Sequence, residues 1–497
     1  MRAFPAILLL VAALLAPASL LAEKTPQETL RECRERLTAT DPEIRRDAVL
    51  VAGKYDLPEV PALLAECLSD SDAGVRHCAL VALSEKPSWL RENAAAVLGL
   101  LRDPDVQNRR LASSQVAPCL GVFVSGRVRL SPSARVSTGA SADPALLESA
   151  LADPDEQVRA NVLKALPYYG GRIDFDAVAP FLDADQSREL QALAIPLAAR
   201  ASCNAPQRRL QALAPFAKSP SAQLRALLAG VLWECPGAAE LLQTLSQDSD
   251  SRVRSAALLS RAKIASPQDA EALSSEIAVA LKGEGVSEDD FSRLLDALWT
   301  LSADAWWNAL QALLPDETLP LSLQAELWTQ VVRHRGYTDR LSPRLIVQAL
   351  LRLEGNRRAR QVLLSLLRQR ASQLTSEELS LLQNSPRPGC RQAVLDLVRQ
   401  LPEGLRASAL EEALLDEELS LRKRALELFP TLHPVGWEEL LLATLEDPDP
   451  TLQNTAAKGL LRSHRQDPEF RNALQRWLPH CTDASLAERI QTRLMAR

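Results

Sequence analysis

Ser69-Asp70-Ser71-Asp72-Ala73-Gly74-Val75-Arg76-His77-Cys78-Ala79 contains the phrase Asp-x-x-Val-Arg-x-x-Ala, and the phrase returns along the chain. It reappears as Ala152-Asp153-Pro154-Asp155-Glu156-Gln157-Val158-Arg159 and as Asp248-Ser249-Asp250-Ser251-Arg252-Val253-Arg254-Ser255-Ala256. Weaker copies put Arg45, Arg109, Glu189, Arg225, Ser292, Gln324, Arg360, Arg391, Arg422 and Gln453 at the position of the Arg. Successive spacings from Arg45 are 31, 33, 50, 30, 36, 29, 38, 32, 36, 31, 31 and 31 residues. A period of one helical hairpin, kept over most of a chain, is the mark of a solenoid.

Local physics explains the phrase. In Asp41-Pro42-Glu43, Asp103-Pro104-Asp105, Asp153-Pro154-Asp155 and Asp447-Pro448-Asp449, the first Asp is expected to cap a helix that opens on proline. The acid that follows faces the positive end of the helix dipole. Leu63, Leu64, Cys67 and Leu68 on one helix, and Val75, Ala79, Ala82 and Leu83 on the next, form an apolar stripe at helical spacing. Alanines there let neighbouring helices approach closely.

These residues resemble the HEAT-repeat family, whose signature is an Asp in the turn between two antiparallel helices and a Val-Arg pair opening the second. The resemblance implies an all-α, right-handed solenoid of about fourteen hairpins with a short β-hairpin-like insertion. It also implies that each Arg bonds to the aspartate of an adjacent repeat, building a ladder, and that second helices line a concave face. The expected order is a leader at 1–22, repeats at 23–120, an insertion at 121–142, repeats at 143–260, degenerate repeats at 261–380, and repeats with a terminal cap at 381–497.

Composition agrees. Aromatics are 4% and glycines 18, while leucine and alanine dominate, which suits helix-on-helix packing. The formal charge of −6, or −7 once Arg2 leaves with the leader, argues against a nucleic-acid partner, whose footprint is a basic face. The leader reading rests on Arg2, the apolar run Ala6 to Leu15 and the small-residue exit at Leu20-Leu21-Ala22, with Ala16-Pro17-Ala18 as a second cut site. It implies export, and no stable membrane insertion after cleavage near Ala22; the competing reading is an uncleaved anchor, which the short apolar run between Pro5 and Pro17 disfavours. The chain has no Asn-x-Ser/Thr acceptor with a permitted middle residue, which fits a bacterial periplasm.

Two surfaces are candidates for a partner. The 50-residue interval between Arg109 and Arg159 holds residues 121–142, where Val122-Phe123-Val124 and Arg127-Val128-Arg129-Leu130 alternate around Ser125-Gly126. Read as a hairpin, it presents Phe123, Arg127 and Arg129; the other reading is a tolerated loop, because long insertions cost little stability. The second surface comprises positions one and five after each Arg. These give a mildly basic track of Arg46, His77, Arg110 and Lys164, then small or apolar Leu190, Ala194, Ala226 and Gly230.

Trp299, Trp306, Trp307 and Trp328 crowd the degenerate stretch. Exposed, they would anchor a peptide or glycan; buried, they would fill gaps between irregular helices. Cys203 and Cys235 end successive repeats and are the candidate disulfide, although stacked helices about 10 Å apart exceed bridging reach unless the packing is irregular. The eight cysteines include no Cys-x-x-Cys. The five histidines, 77, 334, 433, 464 and 480, form no H-E-x-x-H, so neither a metal nor another cofactor is expected. No nucleophile elbow or phosphate loop is present.

The residues therefore point to a non-enzymatic interaction scaffold with a protein or peptide partner. The rivals are a lyase-type enzyme modifying a partner protein, as some HEAT-like repeats do, and a HEAT-like DNA glycosylase, which this acidic chain does not suit.

Overall fold

The computed structural model describes residues 25–120, 143–169, 173–283, 285–463, 468–481 and 483–495. The expected leader and the expected hairpin or loop at 121–142 both lie outside these. Among the described residues the chain is a succession of fourteen helix pairs, beginning with Pro26–Arg36 and Pro42–Ala52, then Val60–Cys67 and Ala73–Ser84. It ends with Pro468–Trp477 and Ala484–Met495. No β-strand forms among them, and β pairing is limited to an isolated bridge between Asp174 and Ser202. The chain divides into two units, Met1–Lys263 and Ile264–Arg497.

A single backbone bond sets the register of the second helices. The amide of Arg45 donates to the carbonyl of its cap, Asp41, and the same bond joins Arg76 to Asp72, Arg109 to Asp105, Arg159 to Asp155, Arg225 to Ser221 and Arg254 to Asp250. In the later pairs it joins Gln324 to Pro320, Arg360 to Asn356, Arg391 to Arg387, Arg422 to Glu418 and Gln453 to Asp449.

Two assigned positions move. The fifth copy is Gln191, bonded to Ser187, and not Glu189; the eighth is Phe291, bonded to Ser287, and not Ser292. The sequence offered an acid and a hydroxyl at positions where polar anchors were expected. The true occupants are an amide and a buried phenyl ring. Leu190 and Ala194, expected to face outward, are consequently buried.

The caps also differ from expectation. Asp41 caps Pro42–Ala52 as read, through the amide of Glu43. In the other three triplets the cap is the second acid: Asp105, Asp155 and Asp449 accept from the amides of the following helix. The first acid instead turns back to accept from the amide of the second, as Asp103 does from Asp105 at 2.8 Å and Asp153 does from Asp155 at 2.8 Å. Each cap contributes about 1 kcal/mol, so the turn is specified before packing begins.

The core follows the apolar stripe. Leu63, Leu64, Cys67, Leu68, Val75, Ala79, Ala82 and Leu83 are all buried. Gly53 shows why small residues recur: a Cβ there would lie 2.9 Å from Ala82 Cβ, so the second helices of the first two pairs touch almost backbone to backbone. Within the second unit the aspartate–arginine pattern thins, and large rings take over the filling. Trp306 and Trp328 are fully buried and Trp307 nearly so.

Candidate partner-binding surface

Two parallel ladders run along the first unit. In the first, Arg45 reaches the next pair and donates to both oxygens of Asp70, at 2.8 Å each, while its third nitrogen serves the carbonyls of Ala39 and Thr40. Arg76 repeats this with Asp103 at 2.7 and 2.8 Å and with the carbonyls of Asp70 and Ser71. Arg109 does so with Asp153, and Arg225 with Asp248. Each guanidinium thus ties its own turn to the next one through the planar fork that carboxylates fit. Arg45 holds the Asp70 carboxyl below its usual range, and Arg225 does the same to Asp248.

The ladder is absent at Gln191, which uses its side-chain amide on the Asp183 carbonyl at 2.8 Å. It returns in the second unit at Arg391, paired with Asp416 at 2.7 and 3.1 Å. Around the eighth and ninth pairs a mixed polar and charged network replaces it. The Ser292 hydroxyl donates to Glu326, Gln330 donates to both, and Arg333 reaches Asp296.

The second ladder starts one residue later, on the predicted basic track. Arg46 pairs with Asp72 at 2.8 Å and with Glu43 at 2.7 Å. The ring of His77 bonds Asn108 at 3.0 Å, and Asn108 donates to the Ala73 carbonyl. Arg110 pairs with Asp155 at 2.7 Å, and Lys164 with Glu189 at 2.8 Å. These four candidates therefore share one face, and each is bonded to the next pair. The ion pairs hold the Asp72 and Asp155 carboxyls low, each through its arginine. Two of the partners, Asp72 and Asp155, are also caps: the aspartate that caps a helix receives the arginine of the preceding pair.

Interleaved with this track stand exposed apolar residues. Leu50 is 47% exposed and Val81 36%, each five residues after its anchor. Ser114 occupies the same place in the third pair and is exposed. Phe123, Arg127 and Arg129 lie outside the described residues.

The tryptophans do not form a surface patch. Trp306 meets Trp299 edge-on at 5.1 Å and His334 at 4.8 Å, and His334 stacks on Trp299 at 3.9 Å. Tyr337 and Trp307 extend the cluster, with Trp299 half-buried at its edge. An aromatic anchor at Trp306, Trp307 or Trp328 is excluded by burial. Burial also pushes the His334 imidazole down from its ordinary value.

All eight cysteines are free thiols, so the Cys203–Cys235 bridge is not formed. The Cys203 thiol turns to the carbonyl of Ala205 at 3.2 Å, whereas Cys235 is buried in the core. Burial raises the Cys119 thiol to about 12 and that of Cys67 to about 11. Under native conditions, a thiol reagent at neutral pH should modify the partly exposed Cys78, Cys203 and Cys481 first. Full reaction of eight thiols should require denaturant; fewer than eight in the denatured, unreduced protein would establish a bridge.

Comparison with known proteins supports the repeat class. A family model described as HEAT repeats matches residues 11–84. No curated protein matches the chain. Among solved structures, the karyopherin Kap121p bound to the SUMO protease Ulp1p aligns over 94% of this chain and 66% of its own, at 13% identity and a TM-score of 0.41. Kap121p bound to Pho4p aligns over 94% and 66%, at 12% identity and 0.41. A Kap95p structure with RanGDP aligns over 93% and 71%, at 11% identity and 0.46. The chain thus spans about two thirds of the length of these structures.

Proposed function

We propose that this stack of HEAT-like helix pairs is a non-enzymatic scaffold that binds a protein or peptide partner along its second helices. The observation that carries the reading is the continuity of that face in the first unit. Second helices follow one another directly, so Arg46 and Leu50, His77 and Val81, Arg110 and Ser114, and then Lys164 form a strip of mixed apolar and charged side chains. A strip repeating at hairpin spacing suits an extended segment better than a small molecule, because contacts recur along the chain and do not converge on one point. The ladders fix its geometry, since both ends of each Arg46- or Arg110-type bond belong to different pairs.

The concave placement of this face follows from the family resemblance, and the insertion at 121–142, carrying Phe123, Arg127 and Arg129, supports a second grip. The leader-like residues 1–22 support export to a bacterial periplasm, where the partner would be sought.

The test is affinity capture from periplasmic extract with the mature chain, a Leu50→Asp/Val81→Asp double variant, and a chain lacking 121–142. Both altered chains should lose or weaken the same specific partner. A partner set unaffected by either change would sink the proposal.

A further inference from the structure

A groove in the second unit carries two exposed cations. It lies between the helices Leu419–Leu432 and Pro450–Leu460, the second helices of the twelfth and thirteenth pairs. Its volume is about 540 Å³, and Lys423, Lys458, Arg462, Thr451 and Asn454 line it. The two helices are held close at its floor. A Cβ on Gly459 would lie 2.8 Å from Leu441 and 2.9 Å from Pro430, so glycine is what allows the approach.

Lys423 follows the anchor Arg422 as Arg46 follows Arg45 and Arg110 follows Arg109. In those earlier pairs the cation is neutralised by the next cap, Asp72 or Asp155. Here it is not: among the described residues Lys423 is exposed and forms no ion pair, and its counterpart cap, Asp449, accepts from the amide of Thr451. A lysine lacks the planar fork with which arginine spans that gap. Arg462 is likewise exposed, with no ion pair among the described residues. The acids nearby are engaged, Glu427 with Arg424 at 3.2 Å and Asp483 with Lys458 at 3.0 Å. Two cations therefore flank a groove whose lining carboxylate, Glu427, is already committed to Arg424.

We infer that this groove binds an acidic peptide segment, with carboxylates of the segment meeting Lys423 and Arg462 and its backbone lying over Thr451 and Asn454. Charge complementarity selects the occupant: in a chain of net charge −6, Lys423 lacks the internal partner that the same register supplies to Arg46 and Arg110, and Arg462 adds a second exposed cation. The inference rests on the second-helix face being the partner surface, and it specifies the chemistry of a segment bound within the second unit.

Fluorescence anisotropy of the full mature chain with a fluorescein-labelled glutamate-rich peptide tests it. Binding should saturate, weaken with added salt, and fall about tenfold or more in Lys423→Glu/Arg462→Glu. Because both side chains are exposed and unpaired, the variant should keep the native circular dichroism and Tm; a Lys423→Gln/Arg462→Gln chain should show an intermediate loss. Absence of saturable binding, an affinity unchanged by reversal, or tighter binding of a duplex oligonucleotide overturns the inference. Capture of a partner that is lost in Leu50→Asp/Val81→Asp but retained by the charge-reversed chain would overturn this inference alone and leave the scaffold reading standing.

Discussion

Asp103→Ala should destabilise the first unit by about 3–5 kcal/mol, the range for removing one member of a buried ion pair. Asp103 is 5% exposed and its partner Arg76 8%. The carboxylate receives two guanidinium bonds and the Asp105 amide, so alanine leaves a buried cation and an unsatisfied turn together. The same change at Asp176, whose ion pair with Arg208 is exposed on both sides, should cost less than about 1 kcal/mol. Replacing both buried partners, Arg76→Met with Asp103→Leu, should recover much of the loss, because the cost lies chiefly in stranding a charge.

Acid should erase the difference between the wild type and Asp103→Ala. Burial raises the Asp103 carboxyl, but the bonds from Arg76 and the Asp105 amide outweigh it and leave the folded value below the ordinary 3.8. Its contribution is therefore present above that value and lost as the pH falls through the lower folded one. Urea midpoints measured at neutral pH and under acid check both statements. A cost at Asp103 no greater than that at Asp176 would show that the ladder does not hold the repeats together.

The period, the helix pairs and their number were legible because capping and apolar spacing act within a few residues, and each repeat states them again. The division of labour within Asp-x-Asp was not. Asp103 and Asp105 look equally able to cap, and what separates them is an arginine 27 residues upstream that reaches only one of them. For the same reason Glu189 concealed Gln191: the ladder is visible in sequence as Arg and Asp, and its neutral substitutes leave no pattern. Lys164 could be placed on the right face, but Glu189 as its partner belongs to another turn. The aromatic filling of the second unit was an open choice, because tryptophans at helical spacing fit a core or an anchor, and packing decides between them. Local packing also left Cys203, turned to the Ala205 carbonyl, and the buried Cys235 as separate thiols, which a shared position at the ends of repeats could not reveal.

Trp306→Ala tests that filling and should cost about 3–5 kcal/mol, as large-to-small changes of a buried ring do. Trp306 is fully buried and contacts the rings of Trp299, His334 and Tyr337, so its removal empties the centre of an aromatic cluster. Trp306→Phe should cost clearly less: it keeps a ring in the site, and the indole nitrogen it deletes has no hydrogen-bond partner to lose. Because each pair touches chiefly its neighbours, the damage should remain local. Amide hydrogen exchange should accelerate in Glu288–Leu301, Ala303–Leu313 and Leu321–Arg333, while Pro42–Ala52 and Ala73–Ser84 keep their protection. The Trp299–His334 stack should loosen as well, and the His334 imidazole, freed from burial, should titrate closer to its ordinary value. If the alanine variant lost less than about 1 kcal/mol, the cluster would be a surface feature and Trp306 would again be available as an anchor.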